Sequence, residues 1–560
     1  MSETPFSRLA ALAEALSNTS KRGEMADLLA EFLQALSPAE VAAAARLTIG
    51  QVFPEWDSRS LNMSWRAVLA VAGELVDATA AEREAAASQA VDGGEFIYRL
   101  LQAGRRHPPG APPLAILEVY RTFEEIAATA GRGSRARKEA LLRGMLLRAT
   151  DLEAKYLAKI IVQDMRHGVS EGIMLDGIAR AAGVKGRLVR RANQLWGDVG
   201  EVALVALSEG QAGLEAASVR LFRPLKPMLA QTAGGVAEAF ERYDDHVALE
   251  YKLDGARVQI HRRGDEVRIY SRNLADVTAS LPDVVDRVAS GMAAEKAIVE
   301  GEAVAVDAEG RPLPFQHVMR RFRRKQDVAA MVREIPVQIY LFDVLYAGGR
   351  SLVDADYHAR WDALAAAAGD VELVPRLLPE TVEAGKAFAD AARRAGHEGV
   401  MAKQLSSAYN PGVRGKAWLK IKHVDSLDLA IIAAEWGYGR RHGWLSNYHL
   451  GARDVATGEF LMVGKTFKGL TDAQFEEMTQ RLLELEEGRR RNVVHVRPEI
   501  VVGVLFNEIQ ESSQYPSGLA LRFARIDRIR NDKRAAAADT IQTARRLYRE
   551  QFRYKGKLPE

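Results

Sequence analysis

The feature that most constrains this chain is a change of periodicity part-way along it. Up to about Leu214, apolar residues recur at helical spacing, as in Met25, Leu28, Leu29, Phe32 and Leu33, with breaks at Pro38, at Pro54 and across residues 107–113. Near Arg223 the texture changes. Pro224-Leu225-Lys226-Pro227-Met228-Leu229-Ala230 carries two prolines too close together for a helix interior. Beyond it, helices alternate with β-patterned runs at residues 246–260, 267–271, 297–306 and 337–345, as far as about His423. After Ser426 the pattern is mostly β, with strand candidates at 429–433, 446–452, 459–463 and 501–509 before a basic, partly helical tail. A chain of 560 residues is too long for one core, so the three textures predict three domains. The expected architecture is an all-α region over 1–215, a mixed and largely antiparallel α/β region over 222–425, and a small β-barrel such as an OB-fold over 426–560.

Composition removes several classes of chemistry. The chain has no cysteine, which excludes disulfides, Cys-ligated zinc, iron–sulfur clusters and thiol nucleophiles. No apolar run is long enough to cross a bilayer, and the first residues do not resemble a signal peptide, so a cytoplasmic protein without a membrane partner is expected. The net charge of +3 says little, but its distribution says more. Residues 518–557 hold twelve Lys or Arg against four Asp or Glu, and Arg320-Arg321-Phe322-Arg323-Arg324-Lys325 forms a second basic cluster. Such clusters suit a polyanion, although many basic runs are only solvated faces.

The most informative segment is Glu250-Tyr251-Lys252-Leu253-Asp254-Gly255-Ala256-Arg257. Asp-Gly between alternating runs is the usual sequence of a tight hairpin, and a lysine beside it is ordinarily a solvated edge residue. The chemistry is more specific. Glu250 and Lys252 lie two apart on a strand and share a face, and the turn is expected to bring Arg257 back alongside. A lysine attacks phosphorus only as the neutral amine. A neighbouring cation and partial burial would lower its pKa, and the same cations would stabilise charge on phosphate oxygens.

Lys252-x-Asp254-Gly255-x-Arg257 resembles the nucleotidyltransferase motif shared by ATP-dependent DNA ligases, RNA ligases and mRNA capping enzymes, in which the lysine carries a nucleoside monophosphate as a phosphoramidate. Further segments follow in the family's order. Ser271-Arg272-Asn273 resembles the motif whose arginine contacts nucleotide and 5′-phosphate. Glu300-Gly301-Glu302 resembles the one whose second acid, Glu302, approaches ribose or metal; two glutamates on one strand face need cations or hydroxyls to answer them. Tyr340-Leu341-Phe342-Asp343-Val344-Leu345-Tyr346 resembles the strand whose aromatic, here Phe342, stacks on the purine; by alternation Phe342 should share a face with Tyr340 and Val344. Glu398-Gly399-Val400-Met401-Ala402-Lys403 resembles the motif supplying a metal-associated carboxylate, Glu398, and a phosphate-side lysine, Lys403. Trp418-Leu419-Lys420-Ile421-Lys422 puts two lysines on one strand face with Leu419 and Ile421 opposite. Like charges side by side repel, so an anion between them is the natural reading, and in the family they hold the α-phosphate. Arg530-Asn531-Asp532-Lys533, after Arg522-Phe523-Ala524-Arg525, resembles the final motif, which closes over ATP and orients the pyrophosphate for in-line displacement.

Within that superfamily the helical region separates the readings. Leu47-Thr48-Ile49-Gly50-Gln51-Val52-Phe53-Pro54, and Lys155-Tyr156-Leu157-Ala158-Lys159-Ile160-Ile161 with Met165-Arg166-His167-Gly168-Val169-Ser170, resemble the DNA-binding domain of archaeal and eukaryotic-type replicative ligases. Residues 224–230 resemble the entry to their catalytic domain, and Pro314-Phe315-Gln316 recurs there too. NAD-dependent ligases carry a four-cysteine zinc finger that this chain cannot form. The resemblance therefore implies an ATP-dependent DNA ligase acting on nicked duplex DNA as a monomer, with ATP and Mg2+ as cofactors and Lys252 as the adenylated residue. Glu250, Arg257, Arg272, Glu302, Phe342, Lys403, Lys420, Lys422, Arg530 and Lys533 would line the nucleotide site, and Glu302 and Glu398 would approach the metal. An RNA ligase or capping-type enzyme is the alternative, and a non-catalytic DNA-binding scaffold would need a broken motif that the sequence does not show.

Overall fold

The computed structural model describes residues 3–244, 246–322, 326–422 and 425–556. Twelve helices run from Phe6–Ser17 to Val199–Glu215. Several begin at a capping box, in which a Ser or Thr and the glutamate three residues later satisfy each other's backbone donors: Ser37 with Glu40, Thr79 with Glu82, Thr150 with Glu153. Their apolar stripes, from Phe6 and Leu9 to Trp196 and Leu214, meet in one core. The two family-like segments of this region pack on each other. His167 donates from Nε2 to the Thr48 carbonyl at 2.7 Å, and Gly50, at φ 75°, lies where a side chain would strike Met165.

Lys155 and Lys159 are not surface cations. Lys155 bonds Glu14 at 2.8 Å and Glu95 at 3.1 Å, and Lys159 bonds Asp92 at 2.9 Å, with both of that last pair's side chains 5% exposed. These ion pairs lie inside the helical region.

The linker then docks on the next region through its backbone. Phe222 N–H donates to His261, Leu225 N–H to Gln259 and Met228 N–H to the Tyr409 hydroxyl. Leu225, Met228, Ile298, Tyr409 and Trp418 join the helical core, so the two regions share buried apolar surface.

Two five-stranded sheets follow. One has the order β1-β10-β9-β2-β8, from Leu229–Thr232 (β1), Val247–Lys252 (β2), Arg376–Leu377 (β8), Gly399–Gln404 (β9) and Arg414–Lys422 (β10). The other has the order β4-β3-β5-β6-β7, from Ala256–Arg263 (β3), Glu266–Ser271 (β4), Lys296–Ala305 (β5), Val337–Ala347 (β6) and Arg350–Ser351 (β7). All ladders are antiparallel except β1 with β10. Helices Val236–Tyr243 and Val382–Arg394 cover the outer face of the first sheet; Pro282–Gly291, Phe315–Phe322 and Tyr357–Ala368 cover that of the second.

This corrects the hairpin expected at Asp254-Gly255. The run 246–260 is two strands in different sheets, so β2 pairs with β8 and β9, and β3 pairs with β4 and β5. The turn is a crossing between sheets. Gly255 is required because a Cβ there would lie 2.5 Å from the Ala303 carbonyl oxygen.

The expected basic cluster is also only partly a surface feature. Arg321 is fully buried and pairs with Asp283 at 2.6 Å, while Arg323, Arg324 and Lys325 lie outside the described residues.

From Asp425 the chain is sheet-rich: Asp425–Trp436 (β11), Leu445–Arg453 (β12), Phe460–Thr466 (β13), Glu486–Arg490 (β14), Val493–Val496 (β15), Val501–Phe506 (β16), Glu508–Glu511 (β17), Leu519–Arg522 (β18) and Arg525–Ile529 (β19). The single strand expected over 501–509 is interrupted at Asn507, and its second half pairs separately with β18. Long β11 pairs with β16 along its first half and with β12 and β15 along its second, giving a branched seven-stranded sheet beside the β17–β18 ladder rather than one closed barrel. Helices Asp472–Glu484 and Ile541–Gln551 pack on its core. Among the described residues no helix is long and apolar enough to cross a membrane.

Candidate active site

The inner faces of the two five-stranded sheets bound a cleft of about 670 Å³. Lys252, at the end of β2, lies in it and bonds Glu398 at 2.6 Å, and Lys422 at the end of β10 bonds the same carboxylate oxygen at 2.6 Å. Lys420 lies two residues earlier on the same strand face, and Leu419 and Ile421 point into the apolar core behind, as alternation required. Arg272, from the turn after β4, and Arg414 also line the cleft.

Lys420 has no ion pair among the described residues. Burial, then Arg414, Lys422, Lys252 and Arg272, hold its pKa below the ordinary lysine value. This end of the cleft therefore carries an excess of positive charge that suits an anion.

Arg257 does not act as expected. Its guanidinium donates to the Met228 carbonyl at 2.7 Å, to Glu300 at 2.6 Å and to the Tyr409 hydroxyl at 3.3 Å, so it answers the buried Glu300 and ties the linker to β5. Nor is the Lys252 amine depressed. Burial alone would lower its pKa, but the carboxylates of Glu398 and Glu302 outweigh that and hold the ammonium above its ordinary value. The reason is tertiary: the Glu398 carboxylate, just before β9, bonds the ammonium directly, while the Arg257 guanidinium is taken up by Glu300 and the Met228 carbonyl. Glu398 is correspondingly held well below the usual carboxylate range against its own burial. Among the described residues Glu302 has no such tight partner. Burial, reinforced by Glu398 and Asp254 against the pull of Lys252 and Arg257, pushes it up to about 7.

The far end of the cleft is aromatic. Phe342 meets Trp418 edge-on with ring centroids 6.4 Å apart, and the Arg257 guanidinium and the Lys403 ammonium lie 5.3 and 4.9 Å from the Phe342 ring centroid. Phe342 does not share a face with Val344. Between β5 and β6 the register skips from Leu341 to Asp343, so Phe342 is the extra residue of a bulge; Val344 packs with Ile339 and Leu341 in the second sheet's core. Phe342 stays on the face of Tyr340, with which it packs, and the bulge is what turns Val344 to the opposite face.

Lys403 is at this end too, not beside the phosphate-type cations. It is 1% exposed, bonds Glu250 at 2.7 Å and donates to the Phe342 carbonyl at 3.0 Å. Glu398 immediately precedes β9 and Lys403 lies five residues further along the extended chain, which separates them by roughly 16 Å. Glu250 is buried, takes a short hydrogen bond from Tyr357, and has its pKa raised by burial against the pull of Lys403.

Arg530 and Lys533 do not reach the cleft. Both bond Asp428 on β11, at 2.6 and 2.7 Å, and Arg530 also pairs with Asp532 at 2.8 Å. The C-terminal region instead presents Arg522 and Phe523 to the cleft mouth, and Lys555 to Asp254 at 2.5 Å. Trp418 and Tyr251 also line the cleft. Trp418 reads in the sequence only as a strand residue, and nothing there connects Tyr409 or Asp428 to the site, because each acts through a contact more than a hundred residues away.

The arrangement is a basic, acid-flanked lysine at one end of a cleft and an aromatic slot at the other, the shape a purine nucleotide would fill. Three family models tile the chain in order: DNA ligase N terminus over residues 5–179, ATP dependent DNA ligase domain over 227–422, and ATP dependent DNA ligase C terminal region over 441–533. DNA ligase 1 of Korarchaeum cryptofilum is 45% identical over 97% of this chain and 98% of its own length.

The chain belongs to the ATP-dependent DNA ligase family.

The DNA ligase of Thermococcus onnurineus agrees, at 40% identity over the full length of both chains. A solved structure, Pmar-Lig_PreS3, superposes with a TM-score of 0.52 at 16% identity over 93% of this chain and 99% of that one, a likeness of fold. The middle model ends at Lys422, the last residue of β10, so it contains Lys252, Glu302, Glu398 and both cleft-facing lysines of the ligase domain.

Proposed function

We propose that this ligase seals 3′-hydroxyl/5′-phosphate nicks in duplex DNA through a lysyl-adenylate on Lys252. The observation that carries the reading is Lys252 ion-paired to Glu398 at one end of the cleft, beside a Lys420 that has no ion pair among the described residues. In the first step the Lys252 nitrogen, having lost its proton, attacks the α-phosphorus of ATP; a nitrogen–phosphorus bond forms, the bond to the bridging oxygen breaks, and pyrophosphate leaves. Lys420, Lys422 and Arg272 take the charge on the α-phosphate. Phe342 supplies the face against which adenine stacks, with Trp418 edge-on to that ring, and Lys403 with Glu250 holds the slot beneath it. The nick's 5′-phosphate then takes AMP from Lys252, and the 3′-hydroxyl displaces AMP to close the strand.

Among the described residues no three acidic or imidazole groups gather closely enough to hold a metal by themselves. Glu302 and Glu398 nonetheless fit Mg2+, which takes one or two protein carboxylates and completes its shell with phosphate and water. When bound there it would neutralise phosphate charge. Arg530 and Lys533, kept as nucleotide-closing residues in this reading, would have to leave Asp428 to do so, which requires the C-terminal region to rotate. The three regions are read as domains over 1–215, 222–425 and 426–560, the last as an opened OB-type barrel.

The test is incubation with Mg2+ and ATP labelled on the α-phosphate. Label on the denatured chain, absent in Lys252→Ala and chased onto nicked DNA, is the expected outcome. Label chased onto nicked RNA only, or obtained only with GTP, would overturn the choice of substrate.

A further inference from the structure

Glu250 lines the aromatic end of the cleft, and its carboxylate is held from behind by a residue with no role in the reading above. That residue, Tyr357, opens the helix Tyr357–Ala368, where the Asp356 side chain caps the first turn by accepting from Ala359 N–H at 2.7 Å. The backbone there is tied to the strand that carries Lys403: His358 N–H donates to the Leu405 carbonyl at 3.1 Å, just past the end of β9. The Tyr357 ring is fully buried, and its hydroxyl donates to Glu250 Oε1. The other oxygen, Oε2, takes the Lys403 ammonium at 2.7 Å. That ammonium lies among three rings, with centroids 4.4 Å away in Trp418, 4.7 Å in Tyr357 and 4.9 Å in Phe342.

The charged groups around Glu250 come from several elements. Lys403 arrives from β9, and the Arg376 guanidinium from β8 lies 5.1 Å from the Tyr357 ring centroid. Asp343 on β6 is answered by Arg360 at 2.8 Å, Arg257 on β3 by Glu300, and Lys252 further along β2 by Glu398. Burial raises the Glu250 pKa; Lys403 and then Tyr357 pull it back, while Asp343 adds to the rise. The phenol itself stays protonated, because burial and the Glu250 carboxylate push its own pKa well above the usual value. Its O–H must therefore donate, and the oxygen that it meets must accept.

This bears on which base the slot takes. An ionised carboxylate offers lone pairs only, and with each oxygen occupied once from behind, each keeps a second lone pair for the slot. Adenine carries an amino donor where guanine carries a carbonyl acceptor. A protonated Glu250 would offer an O–H to that carbonyl; a carboxylate sets lone pair against lone pair. The ionised state favours adenine, and the Tyr357 hydroxyl favours the ionised state against the burial that opposes it.

We propose that Tyr357 is a positioning residue for base choice: by donating to Glu250 it keeps that carboxylate an acceptor for the amino edge of adenine, so that the slot takes ATP in preference to GTP. This rests on the lysyl-adenylate reading, in which the nucleotide is the first substrate.

The experiment compares the parent with Tyr357→Phe and with Tyr357→Phe/Glu250→Gln. Self-adenylation is followed with ATP or GTP labelled on the α-phosphate between about pH 6 and about pH 8.5, with melting temperature measured alongside. At about pH 6.5, Tyr357→Phe should need about tenfold more ATP for half-saturation and lose its preference for ATP by a similar factor, with the maximal rate within about twofold of the parent. Both should return toward parent values at about pH 8.5, as Glu250 ionises without its donor. The parent carries the same Lys403, whose ammonium burial holds below its ordinary pKa, and so accounts for that group. The double variant has no carboxyl to titrate at this position, and its half-saturation should vary with pH no more than the parent's. Half-saturation that is parent-like at every pH in Tyr357→Phe would overturn the proposal, and so would a rise equal at every pH, which marks a packing role only. An unchanged preference for ATP over GTP, or a pH dependence that persists in the double variant, would overturn it as well. A parent that takes no label, or label that survives Lys252→Ala, would instead sink the reading on which the proposal rests.

Discussion

Two pairs of lysines, at 155 and 159 in the helical region and at 420 and 422 in the cleft, show how little the residue type settles. Lys155 and Lys159 are one helical turn apart on one face, and each is closed off by carboxylates from elsewhere in the region: Glu14 and Glu95 on other helices, and Asp92 at the cap of one. Lys420 and Lys422 are two apart on one strand face. Lys422 shares the Glu398 carboxylate with Lys252, and Lys420 has no carboxylate partner among the described residues. In the first region charge is balanced within the protein and holds helices together. In the second the balance is left incomplete, and the excess of positive charge suits an anion. A lysine becomes a binding group where the fold withholds its partner.

The largest effect that could break this contrast lies at the cleft. Lys252→Ala should eliminate covalent label from α-labelled ATP, leaving nicked-duplex binding within about twofold of the parent, since the ammonium is one charge among many at the DNA surface. Residual label would mean another nucleophile. Next comes the helical pair. Lys159→Met strands the buried Asp92 carboxylate and should cost the helical region about 3–5 kcal/mol in urea unfolding. Adenylation at low temperature should be unaffected, and a stable Lys159→Met protein with weakened DNA binding would reverse the structural role given to this lysine.

A smaller effect is expected at Asp428. Its two ion pairs are partly exposed and therefore weak. If they hold Arg530 and Lys533 away from the nucleotide, Asp428→Asn should speed self-adenylation about fivefold. A slower first step in that variant would show instead that Asp428 helps present them.

The smallest concerns Glu302. A carboxyl raised to about 7 in the folded protein contributes stability that is fully present below its unfolded value near 4.5 and is lost as pH rises through 7. Glu302→Gln should therefore raise the melting temperature at pH 8 by a few degrees, about 2–4 °C for each kcal/mol of relieved strain. The gain should vanish toward pH 4, and the same gain at both pH values would mean that burial of charge is not its source.

Much of the site was legible in the sequence because strand geometry is local. The shared face of Lys420 and Lys422, with Leu419 and Ile421 behind, follows from the two-residue period of a strand. Alternation held as far as Phe342, which keeps the face of Tyr340, and failed beyond it, where one extra residue exchanged the faces and sent Val344 into the core. A bulge of this kind depends on the partner strand, which local pattern does not specify.

The sequence by itself determined the textures of the three regions, the order of the motifs and, wherever a strand or helix runs without a bulge, which side chains share a face, because these depend on residues a few positions apart. Only the tertiary structure decided that β2 and β3 part into different sheets, and that Glu398 rather than Arg257 governs the charge of Lys252. It also decided that Lys403 lies under the aromatic slot and that Arg530 and Lys533 rest on Asp428. Each of these is a contact between distant segments. Electrostatic energy falls with distance in space whatever the separation along the chain, so the partner that sets a group's charge is known only when the fold has brought it there.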